Sequence, residues 1–368
     1  MHAPLSIAVL GTGRMAEVHL AALARLRERN ALQPPLRIGL YGRNTARVEE
    51  LNHQHAVDFV MPDLEDALTR SDVDVVDNCL INALHYKPLM KAIRNGKHVL
   101  SEKPLAMTLA EARELYDTAA SAGVVHGIIQ NMRFEPGIAA AKKLVETGEV
   151  GRVFHIRTVF GYFVPPGVDN RPLWFYQADK AGGGIVHDMM AHFFDLYEWL
   201  IGPVVGVTCR ASTAYGERYD ASRSEKAGDV EDVAGCLVEF ASGALGDAFM
   251  SWVRRKHEEV PYFELDGENA SLRFSFHRIE IERAGETSAF RFDPTEEQHD
   301  KQSWQTLDIP HRNAFEVQFE RFFEGLARGV PAEPHWGHGL RAMELLEAAY
   351  RSAATGNRID SSNEAWAP

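Results

Sequence analysis

Short apolar runs alternate with amphipathic stretches through the first third of the chain. Leu5–Leu10, Leu36–Tyr41, Val73–Cys79, His98–Leu100 and Val124–Ile129 have strand length and strand composition. Between them Glu17–Arg29, Thr45–His53, Leu84–Asn95 and Thr108–Ser121 carry apolar residues at helical spacing, and Gly96 and Gly123 stand where helix C-caps belong. Short strands apolar on both faces, joined by helices, predict a parallel, doubly wound α/β sheet of the Rossmann kind.

The pattern changes after one further helix, Gly137–Thr147, which Gly148 closes. Longer segments with period-2 alternation follow: Val153–Phe160, Val204–Ala211, Val233–Phe240, Ala244–Trp252 and Tyr262–Leu265. One helix interrupts them at Asp188–Ile201, and two more, Ala314–Arg328 and Gly339–Thr355, come last. This predicts an α+β domain with an open, mostly antiparallel sheet. The expected division is an α/β domain over residues 1–130 and an α+β domain over 131–368, with the C-terminal helix free to pack back on the first. The polar Tyr215–Asp229 reads as a mobile excursion, and Glu296–Ser303 resembles it. Phe315, Phe319, Phe322 and Phe323 repeat at helical spacing and read as core.

Composition narrows the function classes. The 368 residues carry a formal net charge of −13, which disfavours nucleic acid and anionic membranes as partners. No apolar stretch is long enough to span a bilayer, and no basic-then-apolar leader opens the chain. Cys79, Cys209 and Cys236 are scattered, which argues against a disulfide framework or zinc cluster and suits a cytoplasmic setting.

Three short segments carry chemistry. Gly11-Thr12-Gly13-Arg14-Met15-Ala16 follows a strand and opens a helix, the context in which G-x-G-x-x-A binds a dinucleotide. The turn brings a pyrophosphate against backbone N–H groups at the helix N-terminus. The second strand ends Leu40-Tyr41-Gly42-Arg43-Asn44, with no acid for a ribose 2′-hydroxyl, whereas Arg43, with Arg47 one turn on, suits a 2′-phosphate. That favours NADP over NAD. Glu102-Lys103-Pro104 follows the strand His98–Leu100, at the carboxyl end where ligands collect. In Gly182-Gly183-Gly184-Ile185-Val186-His187-Asp188-Met189-Met190-Ala191-His192, Asp188 and His192 are four apart and share a helix face. A zinc site from His187, Asp188 and His192 is poorly supported, since His187 points elsewhere and no further ligand stands at metal spacing. The loop Phe160–Tyr176 offers Tyr162 and Trp174 as ring platforms for a sugar, with Arg171 as a donor.

Taken in order with Asn131-Met132-Arg133-Phe134-Glu135-Pro136 and Asp229-Val230-Glu231-Asp232-Val233-Ala234, these segments resemble the glucose–fructose oxidoreductase/inositol dehydrogenase (Gfo/Idh/MocA) family over essentially the full length. The resemblance implies an NAD(P)-dependent dehydrogenase with Lys103, Asp188 and His192 as its catalytic group. It further points to cofactor-side contacts from Asn82 and His85 and to Arg133 near the substrate, where an arginine serves equally well as a surface or interdomain salt bridge; Glu102, more a structural neighbour than a participant, and His187 complete the cofactor-side and substrate-side candidates. Leu80-Ile81 stands where the family usually has Thr-Pro before the asparagine. Homodimers or homotetramers through the second-domain sheet are also implied.

The residue types fit oxidation of a secondary alcohol. A histidine with an ordinary pKa of about 6.5 exchanges a hydroxyl proton near neutrality, and a lysine stabilises alkoxide character on the same oxygen. They leave open which of Lys103 and His192 takes the proton. The expected substrate is a sugar, inositol or related polyol. Two other readings are a non-catalytic NAD(P)-sensing regulator and a glycosidase using transient oxidation by bound NAD. Keeping Lys103, Asp188 and His192 together speaks against the regulator.

Overall fold

The computed structural model describes residues 4–29, 34–167, 172–220, 223, 225–255, 261–285 and 303–360. Six parallel strands form the first sheet: β1 (Leu5–Leu10), β2 (Leu36–Tyr41), β3 (Phe59–Val60), β4 (Val75–Asn78), β5 (His98–Ser101) and β6 (His126–Ile128). Their order is β3-β2-β1-β4-β5-β6, so the order in which strands are added across the sheet reverses between β1 and β4. A ligand crevice opens at such a switch point, beyond the carboxyl ends of the strands. Ile7 through Leu10 and Val75 through Asn78 are buried on both faces, as helices on both sides of the sheet require. β3 is only two residues long, too short for a periodicity reading to separate from loop.

The second sheet has nine strands. They are β7 (Val153–Gly161), β8 (Val204–Ser212), β11 (Val233–Phe240), β12 (Leu245–Ser251), β13 (Tyr262–Gly267), β14 (Ala270–Phe274), β15 (Ile279–Arg283), β16 (Gln305–Thr306) and β17 (Ile359–Asp360). A separate hairpin pairs β9 (Arg218–Tyr219) with β10 (Lys226–Ala227). The sheet order is β16-β15-β14-β13-β7-β12-β11-β8-β17, and only β7 with β12 runs parallel. Along β11, Ala234, Cys236, Val238 and Phe240 are buried, with the intervening residues more open, which is the alternation of a sheet covered on one face. β14 and β15 extend the expected strand set; the Ala-Ser-Leu-Arg-Phe run of β14 alternates in the same way throughout, and β15 does so from Ile279 to Ile281, after which Glu282 is buried as well.

The two domains share a core. Phe319, Phe322 and Phe323 of helix Ala314–Arg328 bury against the first domain, beside Leu20, Leu23 and Ile129. The last helix, Trp336–Thr355, docks its first residue by an indole N–H donated to Gly127 O at 2.8 Å. The β9–β10 hairpin is anchored at its first strand. Its Arg218 is 1% exposed, ion-paired with Asp232, and stacked over the Tyr176 ring at 4.4 Å. Of Glu296–Ser303, all but Ser303 lies outside the described residues.

Candidate active site

A cleft of about 840 Å3 lies at the carboxyl ends of β1, β4 and β5, walled on its far side by the second domain. Its floor is the Gly11–Met15 turn. Gly11 has φ +113°, and a Cβ there would meet Cys79 O at 2.8 Å, so the backbone can turn here only without a side chain. At Gly13 a Cβ would meet nothing within 4 Å, and the helix it opens, Arg14–Glu28, has no side-chain cap. Open approach to N–H groups that no side chain among the described residues caps is what a pyrophosphate needs, and the turn therefore fits a dinucleotide.

Beyond the end of β2 the cleft is lined by Tyr41, Arg43 and Asn44. Arg43 is exposed and has no hydrogen-bond or ion-pair partner among the described residues. Arg47 is already committed, to Glu17 at 2.6 Å and Glu50 at 2.7 Å.

At the opposite end three expected residues converge. Lys103 Nζ donates to both the backbone oxygen and Oδ1 of Asp188, each at 2.7 Å, with the two side chains 14% and 17% exposed. The Lys103–Pro104 peptide is cis. His192 also faces the cleft; its Nδ1 lies 2.8 Å from Gln130 Oε1. Burial, followed by the charge of Lys103, holds the His192 imidazole well below its ordinary pKa, so it is neutral at pH 7. Asp188 does not cap a helix. Val186–Met190 forms a π-turn that runs directly into helix Ala191–Leu200, a wider winding often found at functional sites.

The turn before it is clamped from outside. Glu231 Oε1 accepts from the N–H groups of Gly184 and Val186 at 3.0 Å each and from the Tyr350 hydroxyl at 2.8 Å. At Gly184 a Cβ would sit 2.0 Å from Glu231 O. Beneath Lys103, the Glu102 carboxylate accepts the Lys103 backbone N–H at 3.1 Å and faces His19 Nε2 at 3.1 Å, while Asp77 takes His19 Nδ1 at 2.9 Å. Burial alone would lower the His19 pKa, but the Asp77 carboxylate, with Cys79 beside it, raises it well above the ordinary value. The atoms of His19, Asp77 and Cys79 lie within 4.8 Å of one another, but both imidazole nitrogens already face carboxylates, so the cluster reads as a buried ion pair.

The remaining expected residues divide. Thr12, Arg14, Met15, Asn82, Glu102, Tyr162 and Trp174 all line the cleft. Asn82 also crosses to the second domain, donating to Ala181 O at 2.8 Å, and Trp174 stacks on Phe175 at 4.0 Å between centroids. Arg171 lies outside the described residues. His85, Arg133 and His187 are not brought to the cleft. His85 is enclosed, its ring nitrogens 2.7 Å from Pro104 O and 3.0 Å from Leu80 O. His187 is 3% exposed under the glycine turn, and burial, then Lys103, lowers its pKa to about 4. Arg133 is 3% exposed and forks onto Asp195 at 2.7 and 2.6 Å, beside a smaller cavity away from the turn. Sequence reading passed over Gln130 and Glu231. The first stands just beyond β6, where position alone marks it, and the second sits inside the quoted Asp-Val-Glu-Asp run.

Comparison with known proteins agrees with this layout. Residues 5–129 match the oxidoreductase family with NAD-binding Rossmann fold, and residues 138–273 match the GFO/IDH/MocA C-terminal domain. A D-xylose dehydrogenase of Paenarthrobacter nicotinovorans is 30% identical over 337 residues, covering 87% of this chain and 86% of that protein. A levoglucosan dehydrogenase of Pseudarthrobacter phenanthrenivorans is 27% identical over 386 residues, covering 97% and 98%. A solved levoglucosan dehydrogenase, in complex with NADH and L-sorbose, shares the fold at a TM-score of 0.85 and 24% identity, covering 98% of this chain and 99% of that one.

Proposed function

We propose that this chain, which belongs to the GFO/IDH/MocA oxidoreductase family, uses NADP in preference to NAD to move a hydride between the nicotinamide and a secondary alcohol of a sugar, inositol or related polyol. The observation that carries the reading is the pair of valences left over at Lys103 and His192. An ammonium has three N–H donors, and two of Lys103's are taken by Asp188. A neutral imidazole has one N–H and one lone pair, and His192 spends its Nδ1 side on Gln130. Among the described residues one donor and one acceptor remain at the same cleft wall, which is what a single hydroxyl oxygen can use.

The bound nicotinamide supplies the hydride acceptor or donor. His192 Nε2 then takes the hydroxyl proton, and the free Lys103 N–H follows the oxygen as negative charge develops on it. Asp188 holds the ammonium in place and keeps its charge local. Tyr162, Trp174 and Phe175 give the sugar an apolar wall that excludes water. The names of the two relatives, acting on xylose and levoglucosan, support a sugar as substrate. Arg43 supports NADP, because a free guanidinium at the cleft wall suits a 2′-phosphate. Exposed Leu237, Leu245 and Phe249, on neighbouring strands of the second sheet, support a homodimer or homotetramer through that face. Three free thiols support a cytoplasmic setting.

The test is net turnover of free NADP or NAD across a sugar and polyol panel, with Lys103→Ala as control. The variant should lose more than about a hundredfold in turnover while its cofactor affinity stays within a few-fold. Near-wild-type turnover in Lys103→Ala would sink the assignment, and glycoside cleavage without net cofactor reduction would mark a different chemistry.

A further inference from the structure

We infer that Gln130 is a positioning residue that fixes the tautomer of His192, placing the proton on Nδ1 and turning the Nε2 lone pair to the cleft. The inference rests on the reading of His192 as the base for its catalytic meaning, but its geometry stands independently. Gln130 is 1% exposed, and every part of it is held. Its backbone N–H donates to Gln318 Oε1 at 3.1 Å, and Gln318 returns its amide N–H to Ile128 O at 3.1 Å, so the segment after β6 is gripped by the helix Ala314–Arg328. Its side-chain Nε2 donates to Ala191 O at 3.1 Å.

That last bond sets the orientation of the amide. A flipped Gln130 would place two oxygens together at Ala191 and leave a buried carbonyl without a donor, a cost of about 1–3 kcal/mol. The oxygen that faces His192 at 2.8 Å is therefore an acceptor and requires an N–H from Nδ1. The charged groups acting on the imidazole are Lys103 and Asp188 from the cleft side. An amide in the supporting position, in contrast to a carboxylate, orients the ring without adding a charge that would hold a proton on it. The result is a base that is unprotonated throughout the neutral range.

The experiment is nitrogen NMR of protein labelled with 15N-histidine, with the His192 signals assigned by their loss in His192→Gln. The wild type should show the Nδ1–H tautomer. Gln130→Met, which keeps the volume but removes the acceptor, should shift His192 toward the Nε2–H form and cut kcat by about ten- to a hundredfold, with cofactor affinity unchanged within about twofold. Gln130→Glu restores an acceptor. It should regain the Nδ1–H form and move the acid limb of kcat/KM to higher pH, a shift that a merely structural role would not produce. An Nε2–H tautomer in the wild type, or an unchanged tautomer in Gln130→Met, overturns the inference. Full activity in His192→Gln would instead refute the base assignment while leaving the tautomer result to stand on its own.

Discussion

Arg133→Met separates two roles that the residue type cannot distinguish. Expected beside the substrate, Arg133 instead forms a bidentate pair with Asp195, the two side chains 3% and 1% exposed. Replacing it with a thioether of similar length leaves a carboxylate enclosed without its partner, which costs about 3–5 kcal/mol. Burial already pushes the Asp195 carboxyl up, and Arg133 is the group that pulls it back. In the variant that pull is gone, so Asp195 holds its proton to still higher pH in the folded state, well above the unfolded value near 3.9. A raised carboxyl loses stability as pH rises from the unfolded value to the folded one. Between the variant's folded pKa and the lower one of the wild type, each unit of acidification should therefore return about 1.4 kcal/mol relative to wild type.

The assay is urea unfolding followed by tryptophan fluorescence at pH 5 and pH 8, reported as the variant-minus-wild-type difference. The deficit should be larger at pH 8, and adding Asp195→Asn should flatten it across pH. Substrate KM and cofactor affinity of the folded variant should stay within about threefold of wild type, because Arg133 does not reach the cleft. Wild-type stability combined with a tenfold or larger rise in KM (about 1.4 kcal/mol of lost binding) would refute the reasoning and return Arg133 to the substrate.

Other expectations follow from the same geometry. Arg43→Ala should weaken NADPH binding about tenfold or more and leave NADH within twofold, measured by nicotinamide fluorescence; equal small effects on both would remove the phosphate role. Gly184→Ala should cost about 1–3 kcal/mol and lower kcat more than it lowers cofactor affinity, since its methyl would strike the Glu231 carbonyl and displace the turn that presents Asp188. His187 is buried with its pKa lowered to about 4, so the unfolded chain takes up its proton first as pH falls. Stability should drop below pH 6.5 by up to about 3 kcal/mol at pH 4 from this group, and His187→Gln should show a shallower acid loss; an unchanged slope would contradict the burial argument.

What was legible in the sequence was whatever local spacing determines. The strand–glycine–helix unit at Leu5–Glu28 follows from apolar period and a turn that tolerates no Cβ at Gly11. Asp188 and His192 both reach the cleft, as their separation by four suggests, although Asp188 stands in the π-wound stretch and only His192 in the α-helix. Direction toward or away from a cleft is decided by tertiary neighbours, and there the reading scattered. His85, Arg133 and His187 stand next to motif residues yet turn inward, to carbonyls, to Asp195 and beneath the glycine turn. The π-turn at Val186–Met190 contributes to this, because its wider winding changes which side of the helix each residue meets. The Lys103–Asp188 contact joins residues 85 apart, and no local pattern contains it.

The proposed division of proton transfer between Lys103 and His192 also bears on which direction of reaction the site would serve best. Burial and the Lys103 charge both depress the His192 pKa, so its conjugate acid is strong. Such a group accepts a proton from an alcohol only when the developing alkoxide is stabilised at the same time, which makes Lys103 and His192 interdependent rather than additive. In the reverse direction of the proposed reaction the imidazolium would be a strong donor to the oxygen of the carbonyl being reduced, with Lys103 polarising that carbonyl, but it is a scarce species near neutral pH. Oxidation should therefore gain with rising pH and reduction with falling pH. Because the pKa is held low, the crossover belongs to the overall equilibrium, which releases a proton on oxidation, and not to loss of the base. A pH profile for oxidation that fell away on the acid side near the ordinary histidine value of about 6.5 would mean that His192 is not held neutral by its surroundings, and the division of labour between it and Lys103 would have to be redrawn.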